Sequence, residues 1–333
     1  MMDVRLKLYR DMLRIRMVEE SIAEKYHEQK MRCPTHLSIG QEVVAAAAGL
    51  ALDKVDYAVS THRGHAHYLG KGGDLKAMLA EIHGKAAGCS RGRGGSMHLI
   101  DQSVNFMGTT AIVGNSIPIG VGLGLASKLE NEQRISCVFI GDGAIEEGVF
   151  YEAANFAAVK KLPVLFICEN NLYSVYSPLL VRQPLGRKIH KMVAAMGLST
   201  SASDSSSAKV TLEIIQSAVE YVRNGNGPHF VELATYRWRE HCGPNFDNDL
   251  SYRSEDEFLA WKERDPLEHL KNELLLENIL SRDELDKLII NLEQEVESAF
   301  LFAESAPFPQ LKEAYLDEYY ISGNNKFEPN SVI

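Results

Sequence analysis

The sequence predicts an α/β protein, a mostly parallel sheet flanked by helices on both faces. Three observations carry that expectation. Residues 135–140 and 164–168 are continuous apolar, β-rich runs with the length of buried strands. Between them, residues 144–159 place Phe150, Ala154, Ala157 and Ala158 at helical spacing, with Glu146 and Glu147 at the start and Lys160 and Lys161 after the end. Pro163 stops that helix, so the three segments form one βαβ unit whose strands run parallel with a right-handed crossover.

This unit has a chemical consequence. Gly141-Asp142-Gly143 closes the first strand with a tight turn, and Asn170-Asn171 closes the second. Parallel neighbours lie ~4.8 Å apart and end at the same sheet edge, which is where open α/β sheets bind ligands. Asp142 and Asn171 therefore come side by side, a carboxylate and an amide carbonyl, hard oxygen donors of the kind Mg²⁺ or Ca²⁺ takes. The helix starting near Ala144 turns its free N–H groups toward the same spot, which suits a phosphate. Glu146 and Glu147 repel a bare diphosphate, so the arrangement calls for a bridging cation. The competing reading is a strand-end turn with two capping residues.

Length and composition set the frame. The 333 residues, 45% hydrophobic, suffice for a substantial core. With no internal repeat and no long low-complexity linker, residues 1–322 read as one domain with N- and C-terminal helical extensions, and 323–333 as a polar tail. A net charge of −10 argues against nucleic acid or an anionic membrane as the main partner. No stretch approaches the ~18 apolar residues of a membrane span, and the N-terminus lacks the apolar run of a signal peptide. The five cysteines are odd in number, scattered and without CxxC, and Cys137 and Cys168 fall in the strands as packing residues. A cytoplasmic globular protein is expected.

The long motif GDGAIEEGVFYEAANFAAVKKLPVLFICENN resembles the thiamine-diphosphate motif of the 2-oxo acid dehydrogenases. The resemblance runs from about residue 5 to residue 270 and is to the α subunit of the E1 component, nearest the acetoin-dehydrogenase branch. It implies a thiamine-diphosphate-binding fold with thiamine diphosphate and Mg²⁺ as cofactors. The ion's ligands would be Asp142, Asn171 and the backbone carbonyl of Tyr173, with Gly143 and Ala144 beside the diphosphate.

The N-terminal segment 3–30 reads as an amphipathic helix with Leu6, Leu13, Met17, Ile22 and Tyr26 on one face. Residues 33–42 lead into an alanine-rich helix to Leu52; His36 in this loop reads as a satisfied loop histidine, whereas the resemblance turns it toward substrate. After a strand at 57–59 comes Ser60-Thr61-His62-Arg63-Gly64-His65-Ala66-His67. Alternating histidines fit a metal site, but no cysteine or carboxylate completes one. By resemblance, His62 and Arg63 contact the diphosphate, Arg63 through a planar guanidinium suited to phosphate oxygens, and His65 lines the channel to the reactive carbon.

Residues 74–84 read as a short helix, and glycine-dense 84–98 as an irregular surface loop ordered at a subunit contact; no P-loop lysine follows. Residues 114–129 read as a helix from about Pro118. Gly120, Gly122 and Gly124 each cost it roughly 1 kcal/mol against alanine, which predicts a tight helix-to-helix contact, between subunits by resemblance. A dinucleotide-binding finger fails there for lack of a strand-turn-helix. The preceding Ala111-Ile112-Val113 matches the segment that holds the aminopyrimidine ring. Further on, 174–184 is irregular, 187–196 helical, 199–207 a serine-rich loop, 211–223 a helix, 229–235 a strand, and the chain is helical from 255, notably over 283–305.

The second chemical segment is residues 236–244, read alone as a basic surface loop. By resemblance Arg237 contacts the diphosphate and His241 handles protons or orients the acceptor, since neutral imidazole both accepts and donates near pH 7. The family pattern H-G-H-S or R-G-H-S is R-E-H-C here, so Glu240 and Cys242 depart from it, and phosphorylation is not expected at Cys242. Ser251-Tyr252-Arg253 also matches a family loop. The activity implied is cleavage of a 2-oxo acid or acetoin, with transfer of the acyl unit to the lipoyl domain of an E2 acyltransferase. It requires an E1 β subunit in an α2β2 heterotetramer. The alternatives are a carboligase using an aldehyde or keto-sugar acceptor and a non-catalytic cofactor-binding subunit.

Overall fold

The computed structural model describes residues 3–31 and 33–315; the polar tail from 323 lies outside them. In chain order the elements are α1 (Val4–Lys25), α2 (Glu42–Ala51), β1 (Tyr57–Ser60), α3 (His65–Gly70), α4 (Leu75–Ile82), β2 (Phe106–Thr109), α5 (Ser116–Leu129), β3 (Ser136–Gly141), α6 (Gly148–Lys160) and β4 (Val164–Asn170). They continue with β5 (Tyr173–Ser174), β6 (Ser177–Pro178), α7 (Leu179–Arg182), α8 (Ile189–Ala195), β7 (Ser199–Ser203), α9 (Ala208–Arg223), β8 (His229–Ala234), α10 (Glu255–Lys262), α11 (Pro266–Leu276) and α12 (Arg282–Ser305).

Six strands pair in the order β2-β1-β3-β4-β8-β7, every neighbour parallel. The alternation along the buried strands explains two-sided coverage. Cys137, Phe139, Leu165, Ile167, Val231 and Leu233 enter one core, under α1, α2, α4, α9, α11 and α12. Val138, Ile140, Val164, Phe166, Cys168 and Phe230 enter the other, under α5, α6 and α8. The chain leaves β1 outward to β2 and returns to β3 on the opposite side of β1. This reversal opens a crevice at the carboxyl edge between β1 and β3. The ends of β1, β3, β4 and β8 all lie along that edge.

Several expectations shift. The buried face of α1 is Leu8, Met12, Ile15, Val18 and Ile22 rather than the expected stripe; Leu6 and Leu13 are only partly buried. The helix packs on α2 and also on α11 and α12, so a single stripe does not describe it. Helix α6 begins at Gly148, not Ala144, because Asp142–Glu146 forms a 3-10 turn and Glu147 is extended at ψ 136. The serine-rich segment is strand β7, not a loop. As an edge strand it pairs only with β8, so it needs no apolar alternation. The glycine-dense loop is organised from within this chain: buried Glu81 accepts N–H bonds from Ser90 and Gly92 at 2.8 Å, Gly94 at 2.6 Å and Gly95 at 3.1 Å.

Within this chain, two of the α5 glycines face the sheet. A Cβ on Gly120 would meet Val138 Cγ2 at 2.3 Å and Val59 Cγ2 at 2.9 Å, and one on Gly124 would meet Val164 Cγ2 at 2.5 Å. Two of the three glycines thus let the helix lie close on the sheet, while a Cβ on Gly122 meets nothing within 4 Å. Gly120→Ala should therefore destabilise the full-length chain by about 1–3 kcal/mol through overpacking, and Gly122→Ala should stabilise it by up to ~1 kcal/mol. Urea denaturation of the two variants checks both signs.

Candidate active site

The site begins with the β3–β4 register. Ile140 pairs with Cys168 and Gly141 with Glu169, so Asp142 comes level with Asn170 and Asn171 lies one residue beyond. The strand alternation then separates the two asparagines. Asn170 donates to Glu232 at 2.9 Å, away from the cleft, while Asn171 Nδ2 donates to buried Gln41 at 3.2 Å. Asn171 Oδ1 accepts the Tyr173 N–H at 3.2 Å. Leu172 between them adopts φ 72 and Val175 φ 55, left-handed conformations that bulky residues rarely take.

Asp142 is 2% exposed. Burial pushes its carboxyl pKa up, and the hydrogen bond and charge of Arg182, with backbone N–H groups of Asp142 and Asn171, oppose that push. The Arg182 guanidinium pairs with Asp142 through Nη2 and with Glu146 through Nη1 at 2.5 Å. A buried carboxylate already matched to a cation, beside an amide and the start of a 3-10 turn, fits a divalent ion carrying phosphate. Gly143 is needed for a close approach here: a Cβ would stand 2.8 Å from Ser174 Oγ.

A cleft of about 120 Å³ follows, lined among others by Asp142, Asn171, Glu169, Arg63, His62 and His241. Gly143, Ala144, Tyr173 and Val113 also reach its wall. His62 and Arg63 come from the end of β1, and His241 from the loop after β8. Arg63 donates to the carbonyl of Leu37 at 2.6 Å and to that of His241 at 3.0 Å, which ties the three loops together. His36 lies directly behind: its ring is 4.6 Å from His62 and 5.0 Å from His241, both edge-on. Burial first, then the Arg63 charge, lowers the pKa of His36 to about 2, His62 to about 4 and His241 to about 3. The three rings are neutral near pH 7.

Other expected residues stand elsewhere. His65 is fully buried and does not line the cleft; its ring nitrogens bond Glu19 at 2.9 Å and Ser96 at 2.7 Å. His67 pairs with Ser60 at 2.8 Å and faces Glu169 at 3.3 Å. The alternating histidines thus point to three different places: His62 precedes α3, and His65 and His67, two residues apart within it, leave on different sides of the helix. Arg237 is 1% exposed and sits behind the wall rather than in it. It donates to the carbonyls of Val175 at 2.8 Å and Arg239 at 2.7 Å and to Tyr252 at 2.7 Å, and lies 3.3 Å from Asp247. Ala111 is half-buried in the turn before Val113 and is not part of the wall.

Sequence reasoning missed Glu19, Gln41, Glu169, Arg182 and Asp247. Asp247 binds Arg237, Tyr252 and Arg253 at once, and Glu19 accepts from Ser38 N–H at 2.8 Å as well as facing His65. Lone acidic residues within loops or helices carry no local pattern, so only Glu169, beside the Asn-Asn pair, had a signal. Glu240 accepts the Asn245 N–H at 2.9 Å and braces its own loop.

An open parallel sheet with a carboxylate, an amide and cationic side chains converging at its carboxyl edge defines a class: an α/β protein built to hold a phosphorylated coenzyme there. Comparison with known sequences makes this specific. Residues 10–312 match the family described as dehydrogenase E1 component. The chain is 36% identical over 314 residues to a pyruvate dehydrogenase E1 component subunit alpha of Rickettsia bellii, covering 94% of this chain and 95% of that one. The corresponding subunit of Porphyra purpurea is 37% identical over 326 residues, covering 96% and 93%. That of Rhizobium meliloti is 34% identical over 313 residues, covering 94% and 89%. The chain belongs to the dehydrogenase E1 component family, as the α-type subunit of a thiamine-diphosphate-dependent oxidoreductase that works with a β subunit on a 2-oxo acid. The relatives do not favour the carboligase or non-catalytic alternatives. Among the described residues no helix is long and apolar enough to cross a membrane.

The lowered histidine pKa values set a pH dependence. The unfolded chain takes up protons near pH 6.5, the folded site only near pH 4 and below, so stability is full above about 6.5 and falls as pH drops through that window. Thermal unfolding followed from pH 7.5 to 4.5 should show this decline, and His62→Asn should make it shallower.

Proposed function

We propose that this chain is the α subunit of a pyruvate-type 2-oxo acid dehydrogenase E1, loaded with thiamine diphosphate through Mg²⁺ and passing its acyl unit to a lipoyl group on an E2 partner. The observation that carries this reading is the juxtaposition of Asp142 and Asn171 on adjacent strand ends, backed by relatives whose names specify pyruvate dehydrogenase. Asp142 and Asn171 hold the metal, with Tyr173 supplying its backbone carbonyl, and Arg63 and His62 hold the diphosphate. When bound, the coenzyme supplies the carbon centre that cleaves the 2-oxo acid. This chain's part is placement. His241 and His62 line the cleft as neutral rings, each able to accept one hydrogen bond and donate another. His36 backs both rings and sets their tilt. Arg237 holds Val175 in the wall from behind.

The size of the cleft supports a shared site. About 120 Å³ is well below the ~300–1,000 Å³ of a complete small-molecule pocket. Val113, 47% exposed at its rim, offers an uncovered apolar edge beside it. A β subunit closing over this edge in an α2β2 assembly completes the pocket, so the α chain alone should turn over little.

Asp142→Ala in the assembled α–β complex should reduce Mg²⁺-dependent coenzyme binding by more than about a hundredfold, since even outer-shell ligand partners are each worth about 10–100-fold. Calorimetry reads this, and unchanged binding would sink the assignment. Arg182→Gln removes the tethered cation that a metal must displace from Asp142. Its apparent Mg²⁺ affinity should rise roughly tenfold, ~1.4 kcal/mol, in the same titration.

A further inference from the structure

His65 does not line the cleft, yet it stands at the centre of a fully buried network beside it. Glu19, His65 and Ser96 are each 0% exposed. They come from three distant parts of the chain: the body of α1, the first residue of α3 and the glycine-dense loop. His65 Nδ1 stands 2.9 Å from Glu19 Oε1, and its Nε2 stands 2.7 Å from Ser96 Oγ. A carboxylate only accepts, so Nδ1 carries the ring proton and Nε2 accepts from the Ser96 hydroxyl. A serine, a histidine and a glutamate in this order resemble a nucleophile triad. With no part of Ser96 reaching solvent, the arrangement holds structure instead of attacking a substrate.

What it holds is the back of the cleft. The second Glu19 oxygen, Oε2, accepts the Ser38 N–H at 2.8 Å. Residues on both sides of Ser38 reach the groups of the cleft wall. The Leu37 carbonyl accepts Arg63 Nη1 at 2.6 Å. The Ser38 carbonyl accepts the Gln41 N–H at 2.8 Å, and Gln41 Oε1 in turn accepts Asn171 Nδ2 at 3.2 Å. The His36 ring backs His62 and His241. One carboxylate therefore fixes a loop that touches four cleft residues, and the bond from His65 fixes that carboxylate.

We propose that His65 is a positioning residue for the coenzyme site, acting through Glu19 and Ser38 to order residues 36–41 before the coenzyme arrives. The proposal rests on the reading of the cleft as the thiamine-diphosphate site. Without the ring's N–H, Glu19 Oε1 is left buried and unmatched, and the carboxylate is free to turn away from Ser38. The loop is then ordered only as the coenzyme binds, so affinity falls while the loaded enzyme keeps its turnover. The Ser96 bond steadies the ring against the glycine-dense loop and does not lie on the route to the cleft.

The test replaces this one ring in the assembled α–β complex. Asparagine sets an amide nitrogen where Nδ1 stands and keeps the Glu19 arm; glutamine reaches to the Nε2 position and keeps the Ser96 arm; leucine keeps neither. Calorimetry with thiamine diphosphate at saturating Mg²⁺ should show His65→Leu and His65→Gln weakened about tenfold, ~1.4 kcal/mol, with His65→Asn close to the parent. At saturating coenzyme the kcat of His65→Leu should match the parent's. In the coenzyme-free complex, amide exchange over residues 36–42 should be faster in His65→Leu and slow again in His65→Asn. Unchanged coenzyme affinity in His65→Leu would overturn the proposal. So would His65→Asn as weak as His65→Leu, or His65→Gln as tight as His65→Asn. Should His65→Leu fail to assemble, Glu19→Asp, which keeps the charge and shortens the arm by one methylene, is read in the same way, and unchanged exchange and affinity there overturn it. A parent complex that binds no coenzyme would instead sink the functional reading, while the exchange comparison still decides this one.

Discussion

The pairing of β3 with β4 is the constraint on which the rest depends. Its hydrogen-bonded register puts Gly141 beside Glu169, and so fixes where Asp142 and Asn171 leave the sheet. A slip of one residue would exchange Asn170 for Asn171 and turn the cleft-facing amide toward Glu232. The slip is resisted from both faces, because every residue from Val164 to Asn170 is buried and alternate side chains are committed to different cores. The two cores thus have a functional role: they hold two polar side chains at one edge to within a residue.

Placing polar groups at that edge has a cost, and the structure meets it with networks rather than with solvent. Asp142, Asn171, Arg63 and Arg237 are all buried. Arg182 matches the first and Gln41 holds the second. Backbone carbonyls of Leu37 and His241 take the third, while Asp247 and Tyr252 take the fourth. Isolated, any of these groups would destabilise the fold by several kcal/mol, since a buried charge without a partner is costly. Together they tie the loops after β1, β3, β4 and β8 into one rigid frame. Strained Leu172 and Val175 sit inside that frame, where surrounding contacts can over-determine them.

Much of this was legible in the sequence, because it lies in local patterns. The apolar runs of β3 and β4, the acidic start and basic end of α6, and the stop at Pro163 are consequences of burial and helix polarity within a few residues. From them the sheet, its parallel sense and the pairing of Asp142 with Asn171 follow. Edge strand β7 was not legible, because a segment such as Ser199–Ser203 needs only one partner and no apolar face. The α5 glycines were noticed, but a close approach does not say what is approached, and within this chain Gly120 and Gly124 approach the sheet. Histidines in a row invited a shared site, yet a helix start at His65 dispersed them. The ring cluster that does exist joins positions 36, 62 and 241, separated by far more chain than any pattern spans. Arg182, Asp247 and Glu19 act by tertiary contact alone, which single-sequence periodicity does not encode.

The central claim is that two neighbouring strand tips jointly hold the ion that carries the coenzyme diphosphate. The most direct measurement is anomalous scattering from a crystal of the α–β complex grown with Mn²⁺ in place of Mg²⁺ and with thiamine diphosphate. The account predicts one strong peak per α chain within bonding distance of an Asp142 carboxylate oxygen and the Asn171 amide oxygen, with the Arg182 guanidinium moved off Asp142. A peak elsewhere, with Arg182 still on Asp142 and the diphosphate bound without the ion, would contradict it.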